Sequence, residues 1–235
     1  MTSVINKAIK LWQNDQDREA IELLQSVDLD ENAEANRLIG QIYIGSERGV
    51  SDIKRDTKKG VEFLNKALSL GNSEAALELA SLYYFGNGVK ENRKRAEQYW
   101  KQSYELGNEE AGFELANYYY DFSHENIQSA IEIFKDLINR NEFKGNCYSK
   151  LSKIYATGPG PISPDQKLSL QYMEQGAFEG HIHCCMNLGL KYYRGDGVPQ
   201  DKQKAISLVQ KVSGDNLLKQ EVAVILGKMT NNEKI

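Results

Sequence analysis

No stretch of this sequence approaches the ~18 consecutive apolar residues of a membrane span, so membrane insertion is not expected. The start, MTSVINKAIKLWQNDQDREAIELL, also lacks an apolar run. Lys7, Lys10 and Asp15 interrupt it, which argues against a secretory signal. Cysteine is scarce: there are three, and two of them, Cys184 and Cys185, are neighbours. An odd, clustered set is no disulfide framework and fits a reducing compartment, so a cytoplasmic location is expected. Positive charge is not in excess. The net charge is −4 with no basic stripe, and a nucleic-acid partner is therefore not expected. With 26% charged and 40% hydrophobic residues, the composition is that of a folded chain, and 235 residues suit a repeat array.

The array is visible as a leucine or isoleucine four residues before a tyrosine: Ile39/Tyr43, Leu79/Tyr83, Leu115/Tyr119, Leu151/Tyr155 and Leu188/Tyr192. The tyrosines are 40, 36, 36 and 37 residues apart. Next to each Leu or Ile stands a small residue (Gly40, Ala80, Ala116, Ser152, Gly189), and four residues before it another (Ala35, Ala75, Ala111, Cys147, Cys184). Spacing of four stacks side chains on one helix face, and a recurrent small residue there implies a second helix passing close by.

A second amphipathic series follows each tyrosine: Gly60/Leu64/Ala67, Ala96/Trp100/Ser103, Ala130/Phe134/Leu137, Ser169/Met173/Gly176 and Ala205/Val209/Val212. Each unit is thus a helix A, a loop and a helix B. The B helices should end at Gly71-Asn72, Gly107-Asn108, Asn141 and Gly180-His181, where glycine or asparagine supplies a left-handed cap. The A–B loops read Gly86-Asn87-Gly88-Val89 and Gly195-Asp196-Gly197-Val198, with degenerate forms from Gly45 to Gly49-Val50 and in TGPGPISPD at 157–165. No strand precedes these glycines, so they are not read as a phosphate-binding loop.

The pattern of small residue, Leu-Gly, Tyr and Gly-x-Gly-Val loop, followed by a Lys-Ala-x-x-x-Trp helix, resembles the Sel-1-like repeat. That family is an α/α solenoid related to the tetratricopeptide repeat. The resemblance implies an all-α, right-handed superhelical α/α solenoid of helix-loop-helix repeats. It also implies protein–protein interaction rather than chemistry. The expected organisation is a single repeat domain over 2–229. A tetratricopeptide-like capping hairpin covers 2–29, repeats cover 32–70, 73–106, 109–140, 145–179 and 181–213, and a capping helix covers 216–229 before a tail at 230–235. The unit at 109–140 departs from the pattern, since DFSHENIQ replaces the glycine loop.

One stretch could carry chemistry. GHIHCCMNLG brings His181, His183, Cys184 and Cys185 together. Cys147 and Cys184 stand in the small slot held elsewhere by alanine, and His181 replaces the helix-start asparagines Asn72 and Asn108. Packing therefore explains most of the cluster. His183 and Cys185 are left over. Neighbouring cysteines point about 100° apart on a helix, which does not converge into a tetrahedral site. No metal, no cofactor and no catalytic residue is expected. A metal-dependent or Cys/His enzyme stays as the weaker alternative. Glu109-Glu110 reads as a favourable helix start, and His124 as a solvated loop residue.

In stacked hairpins of this kind the A helices line the concave side, so their non-packing positions are the candidates for partner binding. The column after the anchor tyrosine holds Ile44, Tyr84, Tyr120, Ala156 and Tyr193. The expected partner-binding set is Arg37, Gln41, Tyr84, Phe85, Asn117, Tyr120, Lys153, Leu190, Tyr193 and Arg194, with Phe113 and Met186 nearby but part-buried. Tyrosine and arginine are frequent interface anchors. Thickening of the core by the second tyrosine is the competing reading. Lys153 and Arg194 should make a local cationic patch suited to an acidic partner segment. The expected function is a non-catalytic scaffold or adaptor for a protein or peptide. A bacterial immunity-type protein that neutralises a toxin is the alternative.

Overall fold

The computed structural model describes residues 2–45, 53–212 and 219–231. Among them the regular structure is all helical: α1 (Thr2–Gln13), α2 (Asp17–Leu24), α3 (Ala33–Ile44), α4 (Thr57–Ser69), α5 (Ser73–Phe85), α6 (Arg93–Glu105), α7 (Glu109–Phe122), α8 (Ile127–Asn139), α9 (Lys144–Thr157), α10 (Gln166–Phe178), α11 (Ile182–Arg194), α12 (Lys202–Gln210) and α13 (Lys219–Thr230). A 3₁₀ turn, His124–Asn126, leads into α8. Of the degenerate loop expected from Gly45 to Val50, only Gly45 lies among the described residues. Residues 216–218 of the expected capping helix and 232–235 of the tail also lie outside them. The chain divides into two compact units, 1–115 and 116–235, with the boundary inside α7.

The caps explain where the helices begin. Asn32, Asn72 and Asn108 each accept a hydrogen bond from the amide three residues on (Ala35 at 2.9 Å, Ala75 at 2.8 Å, Ala111 at 2.9 Å), and these start α3, α5 and α7. Asp56, Asn92, Asp165 and Asp201 do the same for α4, α6, α10 and α12. Such a cap stabilises by about 1 kcal/mol. The B helices end as expected, with Gly71, Gly107, Asn141 and Gly180 all at positive φ.

Four of the A–B connections are tied at the anchor tyrosine, and the departing unit at 109–140 is not among them. The amides of Asp56, Asn92, Asp165 and Asp201 donate to the carbonyls of Tyr43, Tyr83, Tyr155 and Tyr192 at 2.7–2.9 Å. The cap residue thus ties the start of helix B to the end of helix A. The rings continue the link: Tyr43 stacks on Phe63, Tyr83 on Tyr99 and Tyr155 on Tyr172, with centroids 5.6–6.0 Å apart. A cation three residues past the cap adds a further bond. Lys59 donates to the Tyr43 hydroxyl, Arg95 to that of Tyr83 and Lys204 to that of Tyr192.

In unit 1 the α1–α2 hairpin packs Ala8, Ala20 and Leu24 against Ala35, Leu38 and Ile39 of α3. Leu64 and Ala67 of α4 meet Ala75 and Leu79 of α5. In unit 2, Cys184, Cys185 and Leu188 of α11 pack with Ala205 and Val209 of α12 and Val222 of α13. The small residue beside the anchor Leu or Ile meets the small residue that opens the helix B series at the A–B crossing. Gly40 faces Gly60, Ser152 bonds with Ser169, and Gly189 stands against Ala205.

Candidate interaction surface on the A helices

Burial withdraws the two cysteines of the Cys/His cluster from solvent. Cys147, Cys184 and Cys185 are unbridged and enclosed. Burial pushes the Cys147 thiol up to about 12 and the Cys184 thiol up to about 11, and raises Cys185 as well. A buried thiol held protonated is a poor nucleophile at neutral pH. Cys185, unassigned from the sequence, is a core residue whose Sγ donates to the Ala177 carbonyl at 3.4 Å. His183 is exposed. His181 precedes α11 without a side-chain cap bond, and burial, then His183 and Lys153, hold its imidazole below the usual range.

In unit 1, Arg37 of α3 is held among carboxylates of its own helix and of α5. It bonds to Glu34 at 2.6 Å and Glu78 at 2.8 Å and lies 3.3 Å from Glu74. Gln41 donates to the same Glu78 oxygen at 2.6 Å. Burial lifts the Glu78 carboxyl to about 7, against the lowering by the Arg37 guanidinium. Arg37 and Gln41 are brought together as parts of a helix-to-helix network. The three carboxylates were not singled out from the sequence. Only the Glu34/Arg37 pair carries a local signal there, through its spacing of three on one helix.

The column after the anchor tyrosine needs correction. At Ile44 and Tyr84 it turns toward helix B of its own repeat. Ile44 packs over Gly60, and the Tyr84 ring lies 5.1 Å from Trp100. Tyr193 is only 6% exposed and belongs to the unit 2 core, so it is not a surface anchor. Tyr84 and Tyr120 are half-buried, with Arg93 over the first ring and Lys150 over the second. Met186, expected to be part-buried, is buried at 5%.

The rest of the expected set lies at the surface to differing degrees. Phe85, 67% exposed, meets Tyr84 edge to face at 4.9 Å. Lys153 and Arg194 are exposed, and Leu190 is half-buried against the unit 2 core. Asn117 is half-buried, with an Oδ1 that finds no partner among the described residues.

A chain whose packing positions recur every 36 to 40 residues, while the neighbouring surface positions change, is a helical-repeat protein of the α/α solenoid class. The family model for the Sel1 repeat matches residues 33–72, 73–108, 146–181 and 182–211, and the chain belongs to that family. The unmatched gap at 109–145 coincides with the departing unit.

The fold is similar to that of a Sel1 repeat protein from Oxalobacter formigenes (TM-score 0.70, 18% identity, 96% of this chain and 87% of that one). It also resembles a protective antigen of uropathogenic Escherichia coli strains that displays an SLR fold (TM-score 0.67, 26% identity, 89% of this chain and 44% of that one). A curated relative, cytochrome c oxidase assembly factor 7 of Xenopus tropicalis, is 34% identical over 79 residues. The match covers 34% of each protein, so the chain spans about a third of that relative's length. No helix among the described residues is long and apolar enough to cross a membrane.

Proposed function

We propose that this protein is a non-catalytic scaffold that holds a protein or an extended peptide on the exposed face of its A helices. One observation carries the reading. The packing columns of the A helices keep their size from repeat to repeat, while the column two residues past the anchor Leu or Ile changes its chemistry: Gln41, Ser81, Asn117, Lys153 and Leu190. Constant packing makes the frame, and a variable column that is half-buried, or exposed at Lys153, is where specificity has room to reside. Membership of a repeat family and buried, protonated thiols support a binding role over a catalytic one. A frog relative named for the assembly of another protein complex fits the same kind of activity. A reducing, cytoplasmic setting and a protein rather than nucleic-acid partner belong to the same proposal.

The test replaces Phe85 and Lys153 singly by alanine and measures melting temperature and affinity for a partner recovered from the native source. Weaker binding with unchanged melting supports the A-helix face. Full affinity in both variants, with loss on substituting the exposed B-helix residues Lys101 or Lys135, would overturn it.

A further inference from the structure

We propose that helices α9 and α11 of unit 2 form a docking surface for an acidic, extended segment of a protein partner. This rests on the scaffold reading above and names the partner's chemistry. The first observation is a separation of charge. Helix α9, KGNCYSKLSKIYAT, carries Lys144, Lys150 and Lys153, and α11, IHCCMNLGLKYYR, carries His183, Lys191 and Arg194. Neither contains an aspartate or glutamate. The preceding A helices are the reverse: in α3, α5 and α7 together Arg37 is the one basic residue among several carboxylates. The chain as a whole is acidic, so a pair of A helices whose Lys and Arg have no Asp or Glu on the same helices is a local inversion, although Lys144 lies 3.9 Å from Glu179 and Lys191 3.6 Å from Asp196.

The second observation is that the two helices act as one surface. They contact each other directly. Lys153 of α9 is close enough to α11 for its charge to act on His181 and Cys184. Lys153 is exposed, and among the described residues it has no carboxylate within ion-pair distance. Leu190, half-buried on α11, offers an apolar contact beside the cations.

The spacing is compatible with an extended peptide. Lys150 and Lys153, and likewise Lys191 and Arg194, are three residues apart on a helix, about 5–6 Å between Cβ atoms. In an extended chain, side chains two residues apart lie on one face at roughly 6.6 Å. Acidic groups at alternate positions therefore match the pitch of the cations. Few cations on an acidic chain argue against a nucleic acid, whose affinity depends on neutralising many phosphates.

The experiment uses the full chain and a short fluorescein-labelled peptide with Glu at alternate positions and one central Leu. Fluorescence anisotropy is read at low and at physiological salt. The wild type should bind, more weakly at higher salt. Lys153→Glu should weaken binding by roughly tenfold or more and Lys153→Gln by less, while Lys167→Glu, on the exposed side of α10, should leave it within about twofold. Circular dichroism and melting confirm that each variant is folded. The proposal fails if the wild type does not bind. It also fails if Lys167→Glu weakens binding as much as Lys153→Glu, or if a Lys-containing counterpart peptide or oligouridylate binds as tightly. A native partner that cross-links to α3 or α5, in a protein that ignores the acidic peptide, would sink this proposal and leave the scaffold reading standing.

Discussion

Gly40 and Gly60 face each other where α3 crosses α4. A Cβ on Gly40 would stand 3.0 Å from the Gly60 carbonyl oxygen, and one on Gly60 would stand 2.8 Å from the Gly40 oxygen and 2.5 Å from Ile44 Cγ1. The absence of both side chains is what lets the helices approach. Replacing Gly60 by valine is expected to destabilise the protein by about 1–3 kcal/mol, although valine suits a helix interior better than glycine. Urea denaturation would check it, and a neutral or stabilised variant would show that the helices separate freely.

The same logic applies to the second small column. Ala111 is fully enclosed, and Ala111→Leu should cost about 1–3 kcal/mol from overpacking. Cys147→Ala and Cys184→Ala remove one sulfur each from that column and should be milder than a typical Leu→Ala change, roughly under 2 kcal/mol. All three thiols should resist iodoacetamide at neutral pH in the folded protein and react after denaturation. Fast labelling of the native state would contradict their enclosure.

Glu78 sets a pH dependence. Burial holds its proton up to about 7, against an ordinary 4.5, so between those values the folded protein binds more protons than the unfolded chain. Stability from this group is fully present below pH 4.5 and is lost as pH rises through 7. Melting curves of the wild type and Glu78→Gln from pH 5 to 8 should therefore diverge in favour of the glutamine variant. The divergence should be at most about 1.4 kcal/mol per pH unit for one proton. A flat or opposite difference would mean that Arg37 keeps Glu78 ionised throughout.

Two aromatic residues from the expected binding set should now separate. Tyr193→Ala empties a core position and should cost about 3 kcal/mol or more of stability. Phe85→Ala removes a ring that is mostly in water and should stay within about 0.5 kcal/mol. Thermal melting of the two variants decides it, and similar losses would contradict the assignment of Tyr193 to the core.

The repeat register, the small–small crossings and the caps could be read from the sequence because each is a local, periodic signal. Asn72 reaches three residues to Ala75, and Gly71 caps its own helix. What could not be read depends on contacts between helices far apart in sequence. Arg37 meets Glu78 across 41 residues, and nothing in either helix alone announces that pair. The second tyrosine illustrates a finer limit. Tyr84 and Tyr193 share one column, yet one is half-buried and the other enclosed. The anchor tyrosine was recognised as a packing residue, while its carbonyl bond to the next cap, as from Asp56 to Tyr43, came only with the loop geometry.

The most direct test of the scaffold account is a scan with a photo-cross-linking amino acid, carried out in the native source. It would be placed singly at Gln41, Lys153 and Leu190 on the A helices and at Lys101, Lys135 and Lys167 on the exposed faces of the B helices. The account predicts that one partner protein is captured from A-helix positions and not from the B-helix set. Capture of the same partner from the B-helix positions alone would contradict it and move the binding surface to the opposite side of the repeats.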